Sequence, residues 1–357
     1  MAEQRRGDDG CESRVSCARM SDAAFPPGSD GWRSLAVEDV VDPEQRIVDP
    51  HHHLWPHGTV LPYELDALLT DVGSGHRVER TVFMECHASY RTDGPPELAA
   101  VGETEFVADA AERSGGLIAA LVGKADLRLP NLDEVLDAHV EAGRGLFRGI
   151  RDALSRAEPG DGLMIAGGAP KGLSEDPAFR AGVKRLGERG FTYDTWHYHY
   201  QNPEFLGLAR AVPDTLMVLD HFGTPIGVGR YAERRDAVFE EWKHDIAEVA
   251  RCDNVVAKLG GLAMPDNGFG WHTANRPPTS DEFVAAQRRY DEHAIECFGA
   301  ERCMFESNFP VDRMSLSYLV LWNGLKKIAS GCSAGEREAL FAGTATRVYR
   351  LGESLAA

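Results

Sequence analysis

The sequence predicts a parallel (β/α)8 TIM barrel built as a single domain. Three observations carry that expectation. Eight short β-like runs punctuate the chain, amphipathic helical patterns separate them, and no GxGxxG follows the first run to support a doubly wound open sheet. A length of 357 residues would divide into two average domains, but α/β barrels reach this size as one unit, and no second compositional block breaks the alternation.

In chain order the β-like runs are Arg46–Asp49, Arg80–Glu85, Leu117–Val122, Leu146–Ile150, Phe191–Asp194, Leu216–Asp220, Val255–Leu259 and Arg302–Glu306. Between them, residues 103–112, 132–142, 177–188, 234–250 and 281–297 repeat apolar side chains at steps of three and four, the period of a helix laid on a sheet. Asp176-Pro177 and Ser280-Asp281 read as capped helix starts, with proline suited to the first helical position. Two connections are long: residues 158–175, rich in glycine, and residues 265–280, with Gly, Trp, Pro and His. Loops after the fourth and seventh strands lie on the carboxyl-end face, where barrels keep their chemistry, so both are candidates for a lid as well as for plain surface insertions.

Residues 1–40 are polar and lack either hydrophobic period, which reads as a disordered or loosely attached leader before a barrel over 41–357. Arg5-Arg6 is followed by Gly7-Asp8-Asp9-Gly10 rather than by an apolar export segment, and no stretch approaches the roughly 18 to 20 apolar residues that span a bilayer. A cytoplasmic location is therefore expected. Seven scattered cysteines without a CxxC read as reduced thiols. With 38 Lys and Arg against 56 Asp and Glu, the net charge of −18 is opposite to what a nucleic-acid or anionic-membrane partner requires.

Every strand of such a barrel ends on one face, so the residues that follow the strands belong together. After the first come Asp49-Pro50-His51-His52-His53-Leu54-Trp55. In an extended segment His51 and His53 point the same way and His52 turns aside, so two imidazoles can hold a divalent ion, zinc first for nitrogen ligands. His221, after the sixth strand, places a third imidazole on the same rim, for ligation or proton transfer. The fifth strand runs into Tyr193-Asp194-Thr195-Trp196-His197-Tyr198-His199, dense enough in aromatics for a pocket wall. Either His197 or His199 is a candidate fourth ligand there, and aromatic packing with ordinary hydrogen-bonded histidines is an equal alternative. Cys86-His87 is a weak candidate for a nucleophile and base, because adjacent residues at a strand end point apart.

The run from Asp49 to Trp55, Asp220-His221 with Pro225 following, Lys258-Leu259-Gly260-Gly261-Leu262 and Ser307-Asn308-Phe309-Pro310 resemble the amidohydrolase-related family (amidohydrolase 2 type) over about residues 45–350. The closer likeness is to its lactonase branch, which includes sugar-lactone hydrolases and 2-pyrone-4,6-dicarboxylate lactonase. The resemblance implies a (β/α)8 barrel that hydrolyses esters, lactones or amides, with a related branch that decarboxylates aromatic or enoic acids. It implies a divalent metal in some members and metal-independent lactonases in others. One departure stands out: Asn308 occupies the position where the family usually has an aspartate acting as general base. A carboxamide cannot take a proton at useful pH, although it can orient water or donate to an oxyanion. Glu306, two residues earlier and on the same side by strand alternation, is the candidate replacement as base or ligand; a structural ion pair and loss of activity are the other readings.

Arg91, Lys124, Arg151 and Arg313 follow strands two, three, four and eight, and Lys258 lies in the seventh. A converging basic ring would attract an anionic small molecule and fix its carboxylate, Arg151 in bidentate fashion. The expected activity is hydrolysis of a small carboxylated lactone or related ester by water activated on a metal at His51, His53 and His221, or by Glu306. Asn308 and Lys258 would steady the oxyanion, while Arg151, Lys124, Trp55, Tyr193 and Trp196 would contact substrate. A metal-dependent decarboxylase and a catalytically silent binding protein are the rivals, and a homo-oligomer is compatible with any of these.

Overall fold

The computed structural model describes residues 25–59 and 61–352. Its centre is one eight-stranded parallel sheet in the order β1 to β8, made of Arg46–His52, Arg77–Met84, Ile118–Gly123, Phe147–Arg151, Thr192–Thr195, Met217–Leu219, Val255–Leu259 and Cys303–Phe305. Every neighbouring pair in that order is parallel. β1 and β8 meet at the seam, where His53 N donates to Phe309 O at 2.8 Å and Asn308 N to His51 O at 3.0 Å. The strands are short, β-branched and buried on both faces, as a parallel sheet covered by helices requires.

Alternate strand residues fill the barrel: Val48, Val82, Met84, Ala120, Val122, Val218, Val256 and Met304 form an inner apolar cluster, which Ala342, Ala345, Val348 and Tyr349 of the C-terminal segment close at the amino end of the strands. The opposite side chains pack outward against helices Leu65–Val72, Val101–Arg113, Leu132–Ala142, Pro177–Glu188, Asn202–Ala211, Arg235–Val249, Ser280–Phe298 and Tyr318–Ile328. A cap fixes the start of Pro177–Glu188, where the Asp176 side chain accepts from Ala178 N. The cap of Ser280–Phe298 is Thr279 rather than Ser280, because Glu282 reaches back to the Thr279 N–H in a capping box.

Residues 25–40, expected as the end of a loose leader, are seated on the barrel. Trp32 is fully buried and donates to Ala274 O, and Glu38 accepts from Ser280 and Asn323. The rest of that leader lies outside the described residues. Cys86, Cys252, Cys297, Cys303 and Cys332 are all free thiols, whereas Cys11 and Cys17 lie outside the described residues. No described helix is long and apolar enough to cross a membrane.

Candidate active site

A cavity of about 970 Å3 opens at the carboxyl ends of the strands. His53, Glu85, Arg151, His221 and Asn308 lie at its strand-end side, and residues 164–170 form much of its wall. The loop 158–175 is therefore part of the pocket. Loop 265–280 supports it from behind: Asp266 accepts from Met164 N at 2.7 Å and Ile165 N at 2.9 Å.

Three imidazoles are oriented by the partners of their Nδ1 atoms. His53 Nδ1 lies 2.9 Å from Met84 O, an acceptor, so Nδ1 carries the proton and Nε2 keeps a lone pair. Glu306 serves the other two, with Oε1 2.7 Å from His221 Nδ1 and Oε2 2.9 Å from His51 Nδ1. The same logic leaves a lone pair on Nε2 of His221; His51 Nδ1 also has the donor Lys258 Nζ at 3.3 Å, and it is the donor Arg151 Nη1 facing Nε2 that assigns a lone pair there. His51 Nε2 and His53 Nε2 face each other at 3.2 Å, an arrangement in which two lone pairs repel unless a cation stands between or beside them. Arg151 Nη1 already lies 3.4 Å from His51 Nε2. Burial holds His51 and His53 well below the usual imidazole pKa; Lys258 adds to this for His51 and Arg151 for His53, so both rings are neutral.

The backbone around these groups is unusual for a local reason. His221, Phe222 and Asn308 have φ of 53°, 58° and 54°, a left-handed conformation that costs a non-glycine residue roughly 1–2 kcal/mol and is best tolerated by Asn and Asp. The turn after β6 thereby brings both His221 N and His221 Nδ1 to Glu306 Oε1. Gly260 and Gly261, just past β7, leave the room: a Cβ on Gly260 would stand 2.4 Å from Glu306 Cγ, and one on Gly261 2.4 Å from His221 Nδ1.

Below the imidazoles runs a buried ionic chain. Lys258 Nζ sits 3.0 Å from Asp220 Oδ1 and 3.2 Å from Asp194 Oδ2, and Asp194 also accepts from Tyr349 OH. Asp220 Oδ2 meets Arg151 Nη1 at 3.3 Å, and Arg151 Nε donates to Glu85 Oε1 at 2.8 Å. Burial disfavours the charge on Asp220, but Lys258 and Arg151 outweigh it and hold this carboxyl below its usual pKa. For Lys258 burial is likewise outweighed, by Asp220 and Asp194, so the ammonium is retained. Four buried carboxyl groups (Glu85, Asp194, Asp220, Glu306) thus surround two buried cations, and burial raises the Asp194 carboxyl above its usual pKa despite Lys258.

Several expected site residues occupy other places. Lys258 is fully buried beneath the cavity rather than in its wall, its ammonium facing Asp194, Asp220 and His51 Nδ1. Tyr193 belongs to the core, edge-on to Phe179, its hydroxyl donating to Asp152 O at 2.9 Å. His199 is not near the other imidazoles: β5 ends at Thr195, and His199 packs on Tyr231 with Nδ1 accepting from Ile226 N. His197 pairs with Asn202 Oδ1 at 3.0 Å. Glu306 is fully buried behind His221 rather than in the cavity wall. Asn308 does line the cavity, and its amide donates to buried Asp312 Oδ1 at 2.9 Å. Trp55 and Trp196 line the cavity as well, anchored through Cys86 O and Thr224 Oγ1. The basic ring does not converge: Arg91 pairs with Glu105 and Arg313 with Asp71 and Asp30, while Lys124 and Arg151 reach the cavity already bound to Asp152 and Glu85. Cys86 lines the cavity, but burial first, then Glu103 and Glu85, push its thiol pKa well up, which disfavours the thiolate.

Sequence reasoning missed Glu85, Asp194, Asp220 and Asp312 as functional candidates. The first three stand at or just past the ends of β2, β5 and β6, a positional signal that was present; Asp312 had none.

The amidohydrolase family profile matches residues 48–351. The chain belongs to the amidohydrolase family. Among known members, it is 33% identical over 318 residues to the uncharacterized protein y4mH of Sinorhizobium fredii, covering 85% of this chain and 98% of that one. It is 31% identical over 242 residues to L-fucono-1,5-lactonase of Burkholderia multivorans, covering 66% of this chain and 73% of the relative. A zinc-bound crystal structure of an amidohydrolase from Burkholderia multivorans superposes with a TM-score of 0.65 at 27% identity, over 85% of this chain and 99% of that one. As an amidohydrolase the protein is a hydrolase, and its residues fit a divalent ion. The Nε2 lone pairs of His51 and His53 converge, and their Nδ1 atoms are held by a carboxylate and a backbone carbonyl, the usual outer partners of metal-binding histidines. His51, His221 and Glu306 also cluster within 4.8 Å of one another, with Glu306 Oε1 at His221 Nδ1 and Oε2 facing His51 Nδ1.

Proposed function

We propose that this amidohydrolase hydrolyses a lactone or closely related ester with water as nucleophile. The observation that carries the reading is the Glu306 bridge, one carboxylate holding His51 through Oε2 and His221 through Oε1. It fixes the tautomer of His221 and, by facing the Nδ1 side of both rings, directs their Nε2 atoms away from itself. His221 lines the cavity, so its Nε2 is the group placed to take a proton from water attacking the carbonyl, and to return it to the departing alkoxide. Glu306 stabilises the imidazolium that forms, as a buried carboxylate does for a catalytic histidine. The remaining amide N–H of Asn308, on the cavity wall, polarises the carbonyl and steadies the developing oxyanion.

His51 and His53 are the residues that would hold a divalent ion, zinc by their ligand type, and the ion would supply Lewis-acid polarisation and acidify water. The L-fucono-1,5-lactonase relative supports the choice of lactone over amide. The test is a panel of 1,4- and 1,5-lactones, aryl esters and amides assayed by acid release, with His221→Ala in parallel. Lactone turnover that falls by about a thousandfold in the variant while bound metal is retained fits a general base. Loss of the metal instead would make His221 a third ligand, and carbon dioxide release from a carboxylated substrate would replace hydrolysis by decarboxylation.

A further inference from the structure

The cavity is too large and too divided in character for a small polyhydroxylated ring. Its volume of about 970 Å3 lies at the upper end of the range, about 300–1,000 Å3, that ligands of drug size fill. The reactive groups lie at the strand ends, whereas Met164, Ile165, Leu173, Met264, Val311 and Met314 contribute an apolar outer wall.

The polar backbone of that wall is used up internally. Met164 N and Ile165 N donate to Asp266, Tyr198 OH donates to Ile165 O at 2.8 Å, and Gly167 N donates to Tyr198 OH at 2.7 Å. The side chains of the segment offer a ligand carbon and sulfur, and Met164 is 58% exposed on a braced loop. A polarizable, unbranched side chain held in that way suits an apolar group of irregular shape.

Charge points the same way. Among the described residues that line the cavity, Lys124 is paired with Asp152, Arg128 with Asp126 at 2.8 Å, and Arg151 with Glu85 and Asp220. Each of these cations is already neutralised by a carboxylate, which lessens its pull on an anionic substrate and leaves a neutral one unaffected.

We propose that the substrate is a neutral lactone or ester carrying an apolar arm of several carbons, with the ring at His221 and Asn308 and the arm against Met164, Ile165 and Met314. This rests on the hydrolytic reading above and adds the substrate class to it.

The experiment compares 1,5-lactones with methyl, propyl, pentyl and heptyl substituents on the ring carbon bearing oxygen, with glucono-1,5-lactone as the polyhydroxylated reference. Each buried methylene contributes about 0.8 kcal/mol, so kcat/KM is expected to rise about threefold to fourfold per methylene from methyl to pentyl. Met164→Glu and Met314→Glu should each lower kcat/KM for the pentyl lactone at least tenfold more than for the methyl one. A flat chain-length series, or a preference for the polyhydroxylated lactone over the pentyl one, overturns the inference. Calorimetric binding of unreactive 2-alkyltetrahydropyrans separates the two layers. If no lactone or ester is hydrolysed, the hydrolytic reading fails, and the apolar arm then stands on a Kd that tightens with alkyl length and falls if the Kd does not change.

Discussion

Glu306 hydrogen-bonds His221 through Oε1 and faces His51 Nδ1 through Oε2, so an isosteric amide tests it cleanly. Glu306→Gln can still accept from one imidazole, but its NH2 must face the other ring's proton or force it into the wrong tautomer. Turnover is expected to fall by about a hundredfold or more, with a circular dichroism spectrum unchanged. Asn308→Asp is the informative partner variant. It replaces the amide that donates to Asp312 Oδ1 with a second acceptor, beside a buried carboxyl whose pKa desolvation already pushes well up. The variant should lose at least tenfold in kcat at neutral pH and melt several degrees lower. Faster turnover in Asn308→Asp together with full activity in Glu306→Gln would mean that Asn308 is a decayed base and Glu306 a bystander. Gly261→Ala, with its Cβ forced toward His221 Nδ1, should mimic Glu306→Gln in kcat while leaving the barrel folded. At this scale the sequence displayed the residue types but not their pairings. His51, His53 and His221 were legible because strand ends share a face. The commitments of Lys258 to Asp220 and of Arg151 to Glu85 were not, since a cation in a sequence shows no counter-charge.

Elements were far more legible than individual contacts, because strand and helix periods are local while contacts are not. The eight β-like runs match the strands within a few residues at each end, and helices Leu132–Ala142 and Pro177–Glu188 begin and end where their apolar spacing does. The slip at Ser280 is instructive: Thr279 and Ser280 are both cap formers, and only the spacing from Thr279 to Glu282 distinguishes the true cap. His199 misled because nothing local marks the end of β5 at Thr195. One element carries a pH-dependent strain that only the packed structure reveals. Glu103, on helix Val101–Arg113, turns Oε1 toward Cys86 N and Ala88 N, supporting the loop that follows β2 and carries Glu85. Burial, reinforced by Glu85, pushes the Glu103 carboxyl up to about 8 from 4.5. A carboxyl raised in the folded state binds more protons there than in the unfolded chain between these values, so its contribution to stability is present below about pH 4.5 and is lost as pH rises to about 8. Glu103→Gln keeps the accepting oxygen and removes the titration. Urea midpoints should therefore fall less steeply between pH 5 and 8 in Glu103→Gln than in the wild type, and parallel slopes would show that Glu103 is ionised throughout.

At the scale of the molecule, the site and the closure of the barrel are one structure. Seven of the strand junctions are parallel ladders, with register shifts in the first three, whereas the eighth, between β1 and β8, is made by the residues around the candidate ligands. His51 O accepts from Asn308 N and from Ser307 Oγ, His53 N donates to Phe309 O, and Asp49 Oδ1 accepts from Ser307 N. Glu306 ties this seam to the buried cluster of Glu85, Asp194 and Asp220 around Arg151 and Lys258, inside a protein whose net charge is −18. Self-repulsion and the facing lone pairs of His51 and His53 both load the junction where no continuous ladder resists them. A divalent ion bound there would act on the whole fold, because a ligand that binds only the folded state stabilises it by about 2.7 kcal/mol at a hundredfold excess over Kd. Adding zinc to chelator-treated protein is thus expected to raise the melting temperature by several degrees and to slow hydrogen exchange at the amides of His53 and Asn308 above all others. His51→Ala/His53→Ala should abolish both responses and remove turnover. Glu306→Gln should keep a weakened response, since it misorients two rings without deleting them. If zinc stabilised the double variant as much as the wild type, the ion would bind elsewhere, and the seam would have to be held by Arg151, the cation already 3.4 Å from His51 Nε2.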